Sequence, residues 1–192
     1  MNLRERKKLA TWRAIRSAAL ELFAARGFET VNVEQIAAAA QVSRATFFNY
    51  FASKEAVVFD QDPEEREILR AMMADCPATE PLWQSLTAIM LGLNERLADR
   101  MPLQRRLKAE SPALAQSTKE FGDQFRADLT AWVHSRADAA DPMPALLQLN
   151  LAFAATGAAY ASWRPDESFP DYLRRLTDCL QRTGQGVATA GD

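Results

Sequence analysis

The segment Val33–Lys54, VEQIAAAAQVSRATFFNYFASK, constrains this chain more than any other stretch. Val33, Ile36, Ala37 and Ala40 recur at the i, i+3, i+4, i+7 spacing of one helix face. Asn32 stands where a cap belongs, and Gln35 three residues later completes a capping-box-like pair. A second helix opens at Ser43, whose hydroxyl can accept an orphan backbone N–H of the first turn. Phe47 and Phe51 lie four apart on it and point into a core. Arg44, Ala45, Phe48 and Asn49 are left facing outward. Two short helices with such an outward face suit the major groove of DNA. The same pattern also describes a generic helical hairpin with a solvated polar face, so the flanks must decide.

The flanks are electrically distinct. Residues 1–59 hold nine Lys/Arg and five Asp/Glu, a net of +4; with the whole chain at −2, the remainder carries −6. A basic head on an acidic body fits a polyanion-binding module joined to a part that avoids polyanions. Arg4, Arg6, Lys7 and Lys8 begin the chain and can track phosphates or serve as a soluble start. Lys54 opposes the dipole of the helix it begins, so a phosphate outside it, or Glu55 beside it, must compensate.

Catalytic and metal chemistry find little support. The chain has one histidine, His134, and two distant cysteines, Cys76 and Cys179, with neither zinc nor redox spacing. The thiols read as reduced and His134 as a surface or helix-end residue. No nucleophile motif or glycine-rich phosphate loop appears, and Glu64-Glu65 reads as a solvated face. The expectation is a non-enzyme without metal or cofactor. Residues 143–163 carry no charge, but Pro144, Gln148, Asn150, Thr156, Gly157 and Ser162 interrupt them. That argues for a helix buried in protein rather than a membrane span.

Periodicity predicts helices throughout and no strand. The first covers roughly residues 5–26 and stops at Gly27, expected in the left-handed conformation. A fourth helix, capped by Ser53, is expected to run from Lys54 to about Met73. Others are predicted over roughly residues 80–99, around Leu103 and Leu107, and over 112–139, 143–163 and 169–183. The fold class is all-α, about nine helices in total; a family resemblance carried by residues 10–59 implies that they form an N-terminal three-helix helix-turn-helix domain and a C-terminal helical domain for ligand binding and dimerisation. The expected boundaries are residues 1–54, residues 55–183 and a flexible tail, 184–192.

Over residues 10–59 the chain resembles the TetR family of bacterial transcriptional regulators. The matching pieces are Ala18-Ala19-Leu20-Glu21-Leu22-Phe23, Arg26-Gly27-Phe28, Val33-Glu34-Gln35-Ile36-Ala37, Ala40-Gln41-Val42-Ser43, Thr46-Phe47-Phe48-Asn49-Tyr50-Phe51 and Ser53-Lys54-Glu55. The resemblance implies a cytoplasmic homodimer, usually a repressor, that leaves a palindromic double-stranded operator when a small hydrophobic effector binds the body. It implies that Arg44, Ala45 and Asn49 face bases, with Arg44 forking to a guanine and Asn49 reading an adenine or meeting a phosphate. It implies phosphate contacts for Thr46, Tyr50 and Lys54. Two positions depart from the family. Gln41 stands where glycine is frequent, so it must accept a strained backbone. Phe48 stands where tyrosine is frequent, so it keeps only packing against a sugar or a thymine methyl.

The Thr46-Phe47-Phe48 version resembles a branch of mycofactocin-associated regulators, some of which look like acyl-CoA sensors. Arg105, Arg106 and Lys108 would meet the phosphates of such a ligand, or form a plain basic surface patch. Trp83, Met90, Phe121, Phe125, Trp132 and Phe153 are the candidate lining of an effector pocket, although helical spacing also predicts plain core for them. The small residues Ala154, Ala155, Gly157, Ala158 and Ala161, with Leu173, Leu176 and Leu180, are the candidate dimer interface, or pack within one subunit. The alternative to a regulator is a helical protein-interaction adaptor that binds no DNA, which leaves Arg44 and Asn49 without a task.

Overall fold

The computed structural model describes residues 2–60, 62, 64–112, 114, 123–164 and 166–188. Ten helices run through them, with no strand among the described residues.

Local capping starts the first four. Helix α1 (Leu3–Arg26) opens on a reciprocal box: Glu5 N–H donates to Asn2 Oδ1 at 2.9 Å, and Asn2 N–H to Glu5 Oε2 at 2.8 Å. Helix α2 (Val33–Ala39) repeats the device with Asn32 and Gln35, at 2.9 and 3.0 Å. Ser43 caps α3 (Arg44–Phe48) by accepting the Thr46 N–H at 2.9 Å, and Ser53 caps α4 (Lys54–Phe59) by accepting that of Ala56 at 3.1 Å. Gly27 ends α1 with φ 80° and ψ 154°. The positive φ is as expected, but the extended ψ carries the chain outward instead of closing a left-handed hook.

Helix α4 stops at Phe59, well before Met73, and α5 (Glu65–Asp75) starts anew. The cause lies outside the segment. Arg16 Nη1 donates to the Asp60 carbonyl at 2.6 Å, and Arg16 Nη2 to that of Val58 at 3.1 Å. Gln104 Nε2 donates to the Val58 carbonyl as well, at 2.6 Å. These carbonyls are thus taken by side chains rather than by the N–H groups of another turn. Arg13 then holds the following residues, reaching Asp62 at 2.8 Å and Glu64 at 2.7 Å. Burial pushes the Asp62 carboxyl up, but the hydrogen bonds from Arg13 and the Glu64 N–H, with the Arg13 and Arg16 charges, outweigh it and hold the group below its ordinary range.

The chain divides into two compact units, neither contiguous: Met1–Glu65 with Arg100–Gly122, and Arg66–Asp99 with Asp123–Asp192. This differs from a boundary after residue 54. The first unit needs α7 (Met101–Glu110), because Leu107 and Leu114 are wholly buried in the same core as Trp12, Ile15, Phe23, Ile36, Phe47, Phe51 and Val57. Arg106 Nη2 also donates to the Ala24 carbonyl at 3.3 Å, and the Ser111 hydroxyl donates to Glu29.

The second unit contains α5, α6 (Leu82–Glu95), α8 (Asp123–Arg136), α9 (Met143–Ser162) and α10 (Phe169–Ala188). Helix α10 continues past residue 183, so residues 184–188 are helical rather than a tail; residues 189–192 lie outside the described set. Gly184 sits so close to Trp83 that an added Cβ would lie 2.2 Å from its indole nitrogen. Within this unit Leu176 and Leu180 are fully buried by their own chain, as is Ala155, while Ala154, Gly157, Ala158 and Ala161 are exposed. Two of the three leucines expected between subunits are therefore packed inside one, while Leu173 is half-buried. No helix among the described residues is long and apolar enough to cross a membrane.

Candidate nucleic-acid interface

The first unit presents α3 on a rigid base. The Phe47 ring is fully buried, with its centroid 5.8 Å from that of Phe51, which lies 5.3 Å from Trp12 on α1. The turn before α3 is short: Val42 N–H donates to the Ala37 carbonyl at 2.9 Å, and Gln41 takes φ 56°. Gln41 is the one non-glycine residue with positive φ among the described residues, which bears out the strain expected of it. Helix α3 has only five residues, too few to hold itself in water, so this base is what makes it a helix.

The predicted outward residues are outward. Arg44, Ala45 and Asn49 are exposed, and Phe48 is 43% exposed. Arg44 does not stand free: its Nε lies 2.7 Å from Glu34 Oε1 on α2, and its guanidinium carbon 5.0 Å from the Phe48 ring centroid. Thr46 is half-buried, with its hydroxyl 2.8 Å from that of Ser43. Tyr50 is half-buried against the core.

Lys54 has an internal partnership that the sequence does not announce. Its ammonium donates to the Phe28 carbonyl at 2.9 Å and the Val31 carbonyl at 3.0 Å, and lies 4.0 Å from the Phe28 ring centroid. Two carbonyl dipoles and a ring face therefore compensate the cation at the start of α4, without an outside phosphate. Arg16 is likewise turned inward, 6% exposed, with its guanidinium 4.9 Å from the Trp12 ring centroid. Burial, helped by the like charge of Arg100, pushes Arg16 down to about 10, which still leaves it cationic at neutral pH. The cations of the head thus divide. Arg16 and Lys54 hold the fold and Arg13 is engaged by Asp62 and Glu64, whereas Arg4, Arg6, Lys7, Lys8 and Arg26 are exposed.

The candidate pocket residues do not share one environment. Met90 is plain core, 2% exposed. Trp83 is half-buried beside Gly184. Trp132 lies under Arg136, 5.1 Å from its guanidinium carbon. Phe125 and Phe153 do meet, edge to face at 6.1 Å, with Arg126 3.9 Å over the Phe153 ring. Phe121 lies outside the described residues. His134 is exposed, with Nδ1 2.9 Å from the Thr130 carbonyl oxygen.

A small aromatic-cored helical unit that offers a short, exposed second helix after a tight turn is a helix-turn-helix head. Residues 15–60 match the family described as bacterial regulatory proteins, tetR family. The transcriptional regulator MftR of Mycobacterium tuberculosis, assigned to mycofactocin biosynthesis, is 29% identical over 168 residues, covering 85% of this chain and 84% of that one. The HTH-type regulator TcmR of Streptomyces glaucescens is 38% identical over 97 residues, covering 50% and 43%. Among solved structures, the TetR-family repressor FadR of Thermus thermophilus, in complex with lauroyl-CoA, aligns with a TM-score of 0.50 and 28% identity over 91% of this chain and 94% of that one. FadR of Bacillus halodurans shares the fold, with a TM-score of 0.53 at 17% identity over 90% and 94%. Residues 15–60 thus match the DNA-binding domain of the tetR family of bacterial regulatory proteins, and most of the chain is similar to transcriptional regulators of that family.

Proposed function

We propose that this protein is a dimeric repressor that leaves a palindromic operator when a hydrophobic, acyl-CoA-like effector binds its second unit. The observation that carries the reading is the exposed face of α3, Arg44, Ala45, Phe48 and Asn49, braced on a buried aromatic core. Arg44 forks to guanine, Asn49 reads adenine or meets a phosphate, and Phe48 packs on a thymine methyl or sugar. Thr46 and Tyr50 contact phosphates, joined by Arg4, Arg6, Lys7 and Lys8 on the opening turns of α1. Lys54 contributes its remaining N–H to the backbone while two carbonyls anchor it. Two-fold symmetry sets the two recognition helices one DNA turn apart or a multiple of it, ~34–36 Å per turn.

The effector class rests on the likeness to the FadR structure that holds lauroyl-CoA and on the aromatic pair Phe125–Phe153. An electrophoretic shift with the DNA upstream of the protein's own gene tests the reading. A retarded band that lauroyl-CoA abolishes is expected, and no shift at low salt overturns it. In thermal denaturation, lauroyl-CoA at a hundredfold excess over its Kd should stabilise by about 2.7 kcal/mol, which is roughly 5–10 °C for a chain of this size.

A further inference from the structure

Arg44 meets two exposed neighbours, Phe48 and Glu34. Phe48 lies edge-on to the buried Phe47 ring at 5.3 Å, and the Arg44 guanidinium carbon sits 5.0 Å from the Phe48 ring centroid. Glu34 lies between the two members of the α2 capping box, Asn32 and Gln35, and its carboxylate approaches Arg44 at Nε, 2.7 Å away. Both side chains of the ion pair are open to solvent, at 64% and 60% exposure; the first turn of α2 favours a carboxylate at Glu34, and from there it also reaches Arg44.

A carboxylate beside the residue expected to meet a polyanion lowers affinity for DNA in general. Its position gives it another use. Approach at Nε leaves the two terminal nitrogens, the pair that forks onto guanine O6 and N7. On matching DNA, Arg44 can make that fork and keep Glu34 as its partner. On other DNA the base edge lacks the paired O6 and N7 acceptors, so phosphates compete for the guanidinium, and swinging towards them abandons a carboxylate that then faces the polyanion unpaired.

We propose that Glu34 is a positioning residue for sequence reading: it aims the Arg44 guanidinium at a guanine and disfavours its capture by phosphates. The proposal rests on the reading of α3 as the base-contacting helix.

The test uses the full-length chain and a double-stranded DNA that the unsubstituted protein enriches from a random pool. Affinities are measured for that DNA, for each single base-pair change in it and for mixed-sequence DNA. Arg44→Ala should flatten discrimination at one base pair per half-site. Glu34→Gln should reduce discrimination at that same pair about two- to fivefold, the range of an exposed ion pair, and raise affinity for mixed-sequence DNA by a similar factor. Glu34→Asp keeps the charge and should keep the low affinity for mixed-sequence DNA. Adding Glu34→Gln to Arg44→Ala should bring no further loss of discrimination.

If Glu34→Gln leaves that ratio unchanged, or weakens all sequences equally, the positioning role is overturned while DNA reading by Arg44 stands. If no sequence is enriched, or Arg44→Ala changes no position, the assignment of α3 falls and the role of Glu34 with it.

Discussion

The two units differ in how their helices are built. The first builds α2, α3 and α4 from five to seven residues each, lengths that are marginal as isolated helices. It compensates with side-chain caps on all of them and one aromatic core, in which Trp12, Phe47 and Phe51 follow one another at 5.3 and 5.8 Å. Beyond the 24-residue α1 the first unit's helices are short, whereas the second uses helices of 11 to 20 residues; both are joined in part by polar contacts. The buried Tyr172 hydroxyl donates to Asn94 Oδ1 at 2.6 Å, and Asn94 Nδ2 donates to the Met90 carbonyl at 2.7 Å. Burial, and then the neighbouring Tyr160, raises the Tyr172 phenol far above its ordinary range, so it remains a donor. Arg136 ties α8 to α6 and the segment before it, donating to Ser85 Oγ at 2.9 Å and to the Pro77 and Glu80 carbonyls at 3.0 and 2.7 Å. The contrast teaches where each unit can spare residues. A unit held by caps and a concentrated core leaves its outer face free for recognition chemistry. A unit seamed by polar groups commits interior positions to hydrogen bonds.

The largest expected effect attacks the concentrated core. Phe47→Ala should cost about 3–5 kcal/mol and abolish DNA binding, while near-ultraviolet dichroism of the second unit's tryptophans persists. Simultaneous loss of both signals in one transition would break the comparison. Arg44→Ala should remove about 1–3 kcal/mol of base discrimination in equilibrium binding, with an unchanged melting temperature. A large drop in melting temperature would mean that the outer face is not free. In the second unit, Tyr172→Phe should cost about 1–3 kcal/mol in urea denaturation, because the Asn94 carbonyl oxygen loses its buried donor. A neutral result would show that the polar seam is dispensable. The smallest effect is at the strained turn. Gln41→Gly relieves the positive φ but frees the unfolded chain, so a net gain of roughly 0.5 kcal/mol is expected from the same measurement. A loss would mean that the Gln41 side chain contributes more than its backbone costs.

What was readable in advance followed from local rules. The caps at Asn32, Ser43 and Ser53 each join residues three apart, so their spacing in sequence is their spacing in the structure. The inward Phe47 and Phe51 and the outward Arg44, Ala45 and Asn49 follow from helical periodicity. Strain at Gln41 could be expected only from the family resemblance, in which glycine is frequent at this turn.

Tertiary structure decided whatever a distant partner controls. Arg16 stops α4 through carbonyls 42 and 44 residues away, and no local pattern distinguishes it from a solvated arginine. Lys54 finds its two carbonyls 26 and 23 residues back, at the turn between α1 and α2. Leu107 and Leu114 complete the first unit's core from beyond an intervening stretch that belongs to the second. Glu34 and Arg44 meet across a turn, where helical spacing does not predict ion pairs. The sequence by itself determined most of the helices, their caps and which residues of α3 face outward, because these depend on neighbours within a turn. Only the folded chain determined which cations are free for a ligand, where α4 ends and which segments share a core, because burial and hydrogen bonding depend on what else arrives at the same place.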